Sequence, residues 1–135
     1  MANGKIKADT LEHSTAGSLD TQYVVHGSAK IWISYSTATA SPVVKDSFGT
    51  GSLTDTALGR TTIAFTTSMS NINYAGFAHS NATTGADSSG NLAEHSVTLL
   101  DRTTSDAELD VWKNSHVNAM GDASLNDMVV MGDLA

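Results

Sequence analysis

The stretch VVHGSAKIWISYST, residues 24–37, decides the fold. From Ala29 onward it repeats every two residues: Ala29, Ile31, Ile33 and Tyr35 fall on one side, and Lys30, Trp32 and Ser34 on the other. That is the side-chain period of a β-strand. Tyr23-Val24-Val25 reads as an earlier strand leading into Gly27, where a glycine between two apolar runs marks a bend, bulge or turn. The first side is assigned to a core. The second is harder, because Trp32 stands among polar residues. Three roles fit such a tryptophan: packing on a subunit, stacking on a sugar ring, or burial in a sheet covered on both faces. Lys30 weighs against the last, since an unpaired buried lysine is costly. Contact with another chain is the favoured reading for Lys30 and Trp32.

The same alternation recurs along the chain. Val43-Val44 follows the lone Pro42, and Gly49-Thr50-Gly51-Ser52 turns the chain after Phe48. Residues 53–60 read as a short strand and turn, and residues 61–67 as a strand with Ile63 and Phe65 inward. Residues 73–79 form another, with Tyr74 on one face and Asn73 and Phe77 on the other. Strands are also expected around 95–100, 109–112, 115–119 and 128–131. Residues 105–113 open with a Ser-Asp-Ala-Glu that resembles a helix capping box, yet Leu109, Val111 and Lys113 keep the strand period, so strand or loop is favoured there. Short strands at regular spacing with turn residues between them predict an all-β fold, an antiparallel sandwich of jelly-roll-like kind over residues 21–135. Met120-Gly121-Asp122 recurs as Met131-Gly132-Asp133, which reads as a repeated turn rather than a repeat unit.

Residues 1–20 differ from the rest. Ile6, Leu11 and Leu19 are their only sizeable aliphatic residues, too few for a core. They read either as a partly disordered terminus or as an extended arm that orders against a partner or a neighbouring subunit. In the second case Ile6, Leu11 and Leu19 are its contact residues.

Composition bounds the function. The 135 residues amount to one domain. Only 16% are charged, and small polar residues fill the surface that Lys and Glu usually occupy. The formal net charge is −7, and the 7 basic residues never cluster, so no footprint for nucleic acid is visible. There is no cysteine, hence no disulfide and no thiolate chemistry. No apolar run approaches the roughly 18 residues of a membrane span, and Met1–Lys7 lacks the apolar core of a signal peptide.

No motif of the common enzyme classes is present. His13, His26, His79, His95 and His116 show no spacing that places two rings on one strand face, and they read as ordinary polar residues. Asp101, Asp106, Glu108 and Asp110 form a loose acidic cluster without the spacing of a calcium loop, and they read as solvated turn residues. Asn81-Ala82-Thr83 matches a glycosylation sequon, which matters only in a secretory setting. No catalytic, metal or cofactor-binding residue is assigned.

Four segments carry a resemblance. They are residues 24–33, Asp46-Ser47-Phe48, residues 65–69 with Asn73-Tyr74-Ala75, and Val130-Met131-Gly132-Asp133-Leu134-Ala135. Together they resemble a small β-domain of bacteriophage tail-fibre and related virion proteins, and Ile6–Leu11 is similar to the lead-in before that domain. The chain departs from the pattern at His26, Ile31 and Gly49-Thr50, which bear on packing and a turn. The resemblance implies a virion structural protein, made in a bacterial cytoplasm, with no enzymatic activity. It implies a homotrimer attached by its N-terminal arm to other virion proteins. The long polar loop at 80–92 would then face the host, with Asn81, Thr83, Thr84, Asp87 and Asn91 as contact residues for a surface glycan. A capsid decoration protein is the alternative, and a polysaccharide depolymerase a weaker one.

Overall fold

Ile31, Ile33 and Tyr35 are buried to within 1% of complete enclosure, so the alternation in the opening stretch does define a core face. The computed structural model describes residues 7–39, 41–81, 95–113 and 119–135. In chain order they form β1 (Thr10–His13), β2 (Gly17–Asp20), α1 (Thr21–Gly27), β3 (Ala29–Ser36), β4 (Val43–Phe48), β5 (Thr50–Ala57) and β6 (Arg60–Phe65). There follow β7 (Ala75–Asn81), β8 (His95–Arg102), β9 (Asp106–Lys113), β10 (Ala119–Met120) and β11 (Leu125–Met131).

The fold is an all-β sandwich. One sheet has the order β4-β3-β11-β7 and the other β10-β9-β6-β5, with β8 on the free side of β9. Every pairing is antiparallel. Ile31, Ile33, Tyr35, Met128 and Val130 of the first sheet meet Ile63, Phe65, Ala107 and Leu109 of the second. Tyr74 closes one end of this core, edge-on to Phe65 with ring centroids 5.9 Å apart, a favoured aromatic geometry. Two glycines at left-handed φ make the tight connections. At Gly49, which carries the chain from the first sheet to the second, a Cβ would lie 2.4 Å from the Lys30 carbonyl oxygen; at Gly59, between β5 and β6, it would lie 2.5 Å from the Gly121 nitrogen. Only glycine fits either place.

Three expectations are corrected. Tyr23-Val24-Val25 is not a strand but part of α1. Asp20 precedes the helix in extended conformation, and among the described residues no strand pairs with these three, so local hydrogen bonding prevails over the weak strand preference of valine. Ala29, assigned to the core, is exposed, because the core-facing alternation starts only at Ile31, beyond a bulge between Val130 and Met131. Residues 49–52 turn only at Gly49, and Thr50 to Ser52 already belong to β5. Elsewhere β9 runs through Asp106–Lys113, the strand favoured over a helix. The Met-Gly-Asp echo marks the ends of β10 and β11, where the Asp122 side chain accepts a hydrogen bond from the Gly59 N–H.

The acidic cluster is also corrected. Asp110 is not a solvated turn residue. It is completely buried on β9, directly opposite Arg60 on β6. Arg60 Nε and Nη2 each donate to one of its carboxylate oxygens at 2.8 Å, and Glu108 stands 3.3 Å from the same Nε. A bidentate pair of this kind fixes strand register as well as charge. Asp106 and Glu108 likewise lie in β9, and Asp101 in β8.

Tyr35 introduces a pH dependence. Its hydroxyl lies near Thr61, yet nothing meets it at hydrogen-bond geometry, and burial pushes its ionisation well above the usual tyrosine range. Burial raises Tyr74 too, with Arg102 opposing. In the unfolded chain these phenols ionise near pH ~10, whereas the folded protein keeps them neutral. The stabilisation is therefore complete below pH ~10 and is lost as pH rises beyond it, at up to about 1.4 kcal/mol per pH unit for Tyr35. Urea midpoints between neutral and strongly alkaline pH are expected to show this fall. Tyr35→Phe is expected to flatten it at little cost near neutrality, since the hydroxyl has no partner to lose.

Candidate interaction face

The outward side of the four-stranded sheet is the feature with binding character. Register places Trp32 of β3 opposite Phe48 of β4 and opposite Val129 of β11, and Val129 opposite Phe77 of β7. Directly paired residues share a sheet face, so Phe48, Trp32, Val129 and Phe77 form one apolar row across all four strands. Phe48 and Phe77 are 59% and 64% exposed, while Trp32 and Val129 between them are half-buried by their neighbours. On one side runs a second apolar row, Ala29, Met131 and Ala75. On the other lies a polar row, Asp46, Ser34, Asp127 and His79. Within it His79 Nδ1 stands 3.9 Å from an Asp127 oxygen. Isolated exposed apolar residues are normal on a protein surface, whereas a contiguous apolar band bordered by a polar row makes this face a candidate for interaction.

Trp32 therefore lies where its position in β3 placed it, on the face away from the core. Lys30 does not share its role. Its ammonium donates to the Val25 carbonyl and to Ser28 Oγ at 2.7 Å, so it closes the C-terminal end of α1 within its own chain. A cation there also meets the negative end of the helix. Lys30, read as a partner contact, is engaged with the end of α1 in its own chain. The remaining members of the apolar row, Phe48, Phe77 and Val129, escaped the reading of the sequence. Each had the right alternation within its own segment, but only strand pairing puts them in line.

The N-terminal residues form a second surface. β1 and β2 pair as a hairpin with Leu11 opposite Leu19, each about half exposed. Thr21 ties the start of α1 back to the hairpin, its N–H donating to the Asp9 carbonyl at 2.8 Å and its hydroxyl to that of Ala8 at 2.7 Å. The arm is thus folded back rather than extended, and it includes α1. None of residues 7–12 and 14–27 is buried; Tyr23, Val24 and Val25 are 63%, 41% and 54% exposed. Leu11, Val24 and Val25 line an open hollow between hairpin and helix. The unit meets the sandwich where His26 Nδ1 stands 2.5 Å from an Asp133 oxygen.

Asn81, the first residue assigned to the host-facing loop, is exposed at the end of β7, and its carbonyl accepts from Ser124 Oγ. Thr83, Thr84, Asp87 and Asn91 lie outside the described residues, as does Ile6. Among the described residues no three His, Asp or Glu side chains are grouped to hold a metal ion, and no helix is long and apolar enough to cross a membrane. Comparison of the chain with protein-family models, with curated proteins and with solved structures finds no match.

Proposed function

We propose that the chain is a virion structural protein of tail-fibre type, attached through its N-terminal hairpin and helix and presenting the sandwich outward to a host surface. The observation that carries the attachment is the unit of hairpin and helix at residues 7–27, whose Leu11, Leu19, Tyr23, Val24 and Val25 lie open to solvent. Apolar side chains gathered on a small appendage gain little in an isolated chain and gain most when a partner covers them, at roughly 25 cal/mol per Å² buried. The likeness of four segments to phage virion domains supplies the setting. The apolar row on the outer sheet face supports an assembling and binding protein, in which several weak contacts act together through high effective concentration.

Labelling of the protein on purified particles tests the reading. Binding of the label at the tail, at few copies per particle, is the expected result. A label spread over the head at hundreds of copies would transfer the same fold to capsid decoration. Absence from particles would remove the virion reading altogether.

A further inference from the structure

We infer that the outer face of the four-stranded sheet binds a second copy of this chain, face to face, about a two-fold axis parallel to the strands and lying between β3 and β11. This rests on the assembly part of the function proposed above; in place of the homotrimer that the resemblance implies, it specifies a two-fold contact and which surface meets which.

The argument starts from the order β4-β3-β11-β7. A two-fold axis along the midline of such a sheet, in the plane of contact, lays β3 over the second copy's β11 and β4 over its β7. It leaves each row at its own height along the strands. The apolar row then meets itself, with Trp32 on the second copy's Val129 and Phe48 on its Phe77. The polar row also meets itself, and its composition is complementary under this operation alone. Asp46 on one edge strand faces the second copy's His79 on the other, and Ser34 faces its Asp127. No carboxylate is set opposite a carboxylate. A two-fold axis across the strands fails this test, because it would lay Asp46 and Asp127 towards the apolar row of Ala29, Met131 and Ala75. The two lysines near this face are engaged within their own chain: Lys30 with α1, and Lys45, whose Nζ donates to the Ser124 carbonyl at 3.0 Å. The axis matches a known mode of sheet packing, in which two faces stack with strands within about 30° of each other, roughly 10 Å apart.

Size sets the strength. Four strands at about 4.8 Å and some six residues at about 3.3 Å give a face of roughly 19 by 20 Å. The two faces together come to about 760 Å², below the roughly 1,200 Å² at which stable specific interfaces begin and within the range of weak, transient ones. A reversible, concentration-dependent dimer is expected, with Trp32 near its centre as the residue that carries most of the contact energy.

The absence of native cysteine makes the register directly testable. Two full-length variants, Asp46→Cys and His79→Cys, are treated with a short thiol-specific crosslinker, each alone and as an equal mixture. Asp46 and His79 sit on opposite edge strands, so in the proposed dimer each is distant from its own copy in the second chain, by roughly three strand spacings or about 14 Å. Crosslinked dimer is expected in the mixture and not in either variant alone. Sedimentation of the unmodified chain is expected to show monomer and dimer in exchange. Trp32→Ala is expected to weaken association at least tenfold while melting as a folded protein. Crosslinking of either variant with itself, a monomer at the highest concentration reached, or a trimer would overturn the inference. The trimer would leave the virion reading standing, as particle labelling tests that separately.

Discussion

Ile33→Ala is expected to lower the free energy of unfolding by about 2–5 kcal/mol, the range for removing a large aliphatic side chain from a core that cannot collapse around the gap. Ile33 is 1% exposed, packed within the cluster that joins the two sheets, and central in β3. Trp32 is its immediate neighbour and larger, yet Trp32→Ala is expected to leave a cooperative fold and act on association instead. Urea unfolding of the two variants side by side checks both statements. The informative result is the contrast. Equal destabilisation would mean that the outer face of the sheet is as enclosed as the inner one, and that the row Phe48, Trp32, Val129 and Phe77 is not an interaction surface.

Breaking the Arg60–Asp110 pair is the other change with a large expected effect, and its size depends on which partner goes. Arg60→Met leaves Asp110, completely buried, without its counter-charge or its two 2.8 Å hydrogen bonds. Asp110→Val leaves Arg60, whose side chain is 38% exposed and has Glu108 beside it. Breaking a buried pair is worst when the stranded charge has no route to water, whereas replacing both members by apolar groups of similar size approaches neutrality. The expected order of urea midpoints is therefore wild type and the double variant Arg60→Met/Asp110→Val highest, Asp110→Val lower, and Arg60→Met lowest by a wide margin. If the two single variants were equal and small, the pair would be a surface salt bridge of the ordinary weak kind.

These two predictions separate what could be read along the chain from what could not. Ile31, Ile33 and Tyr35 announce a core face because the strand period is local: each side chain's direction follows from its own backbone. Ile63 and Phe65 are legible for the same reason. Tyr23-Val24-Val25 misled because β-branched and aromatic residues favour a strand only where a neighbouring strand accepts them, and none does. The contact of Lys30 with the end of α1 was not legible either, since the local pattern did not announce that helix. Asp110 lies in the same strand as the buried Ala107, Leu109 and Val111 but points to the opposite face, and the partners set on either side of it, Arg60 of β6 and Thr98 of β8, come from other strands.

Residue pattern alone thus specified an all-β chain, the core side of its central strand, and a tryptophan turned away from that core. Those properties depend on alternation within a few residues. The apolar row across four strands, the self-complementary polar row beside it and the buried Arg60–Asp110 pair depend on register. Register is chosen when separate strands pair and bury a common face, because a slip of one residue would turn every core side chain outward. That choice is made between segments as distant as Trp32 and Val129, which is why it belongs to the tertiary structure.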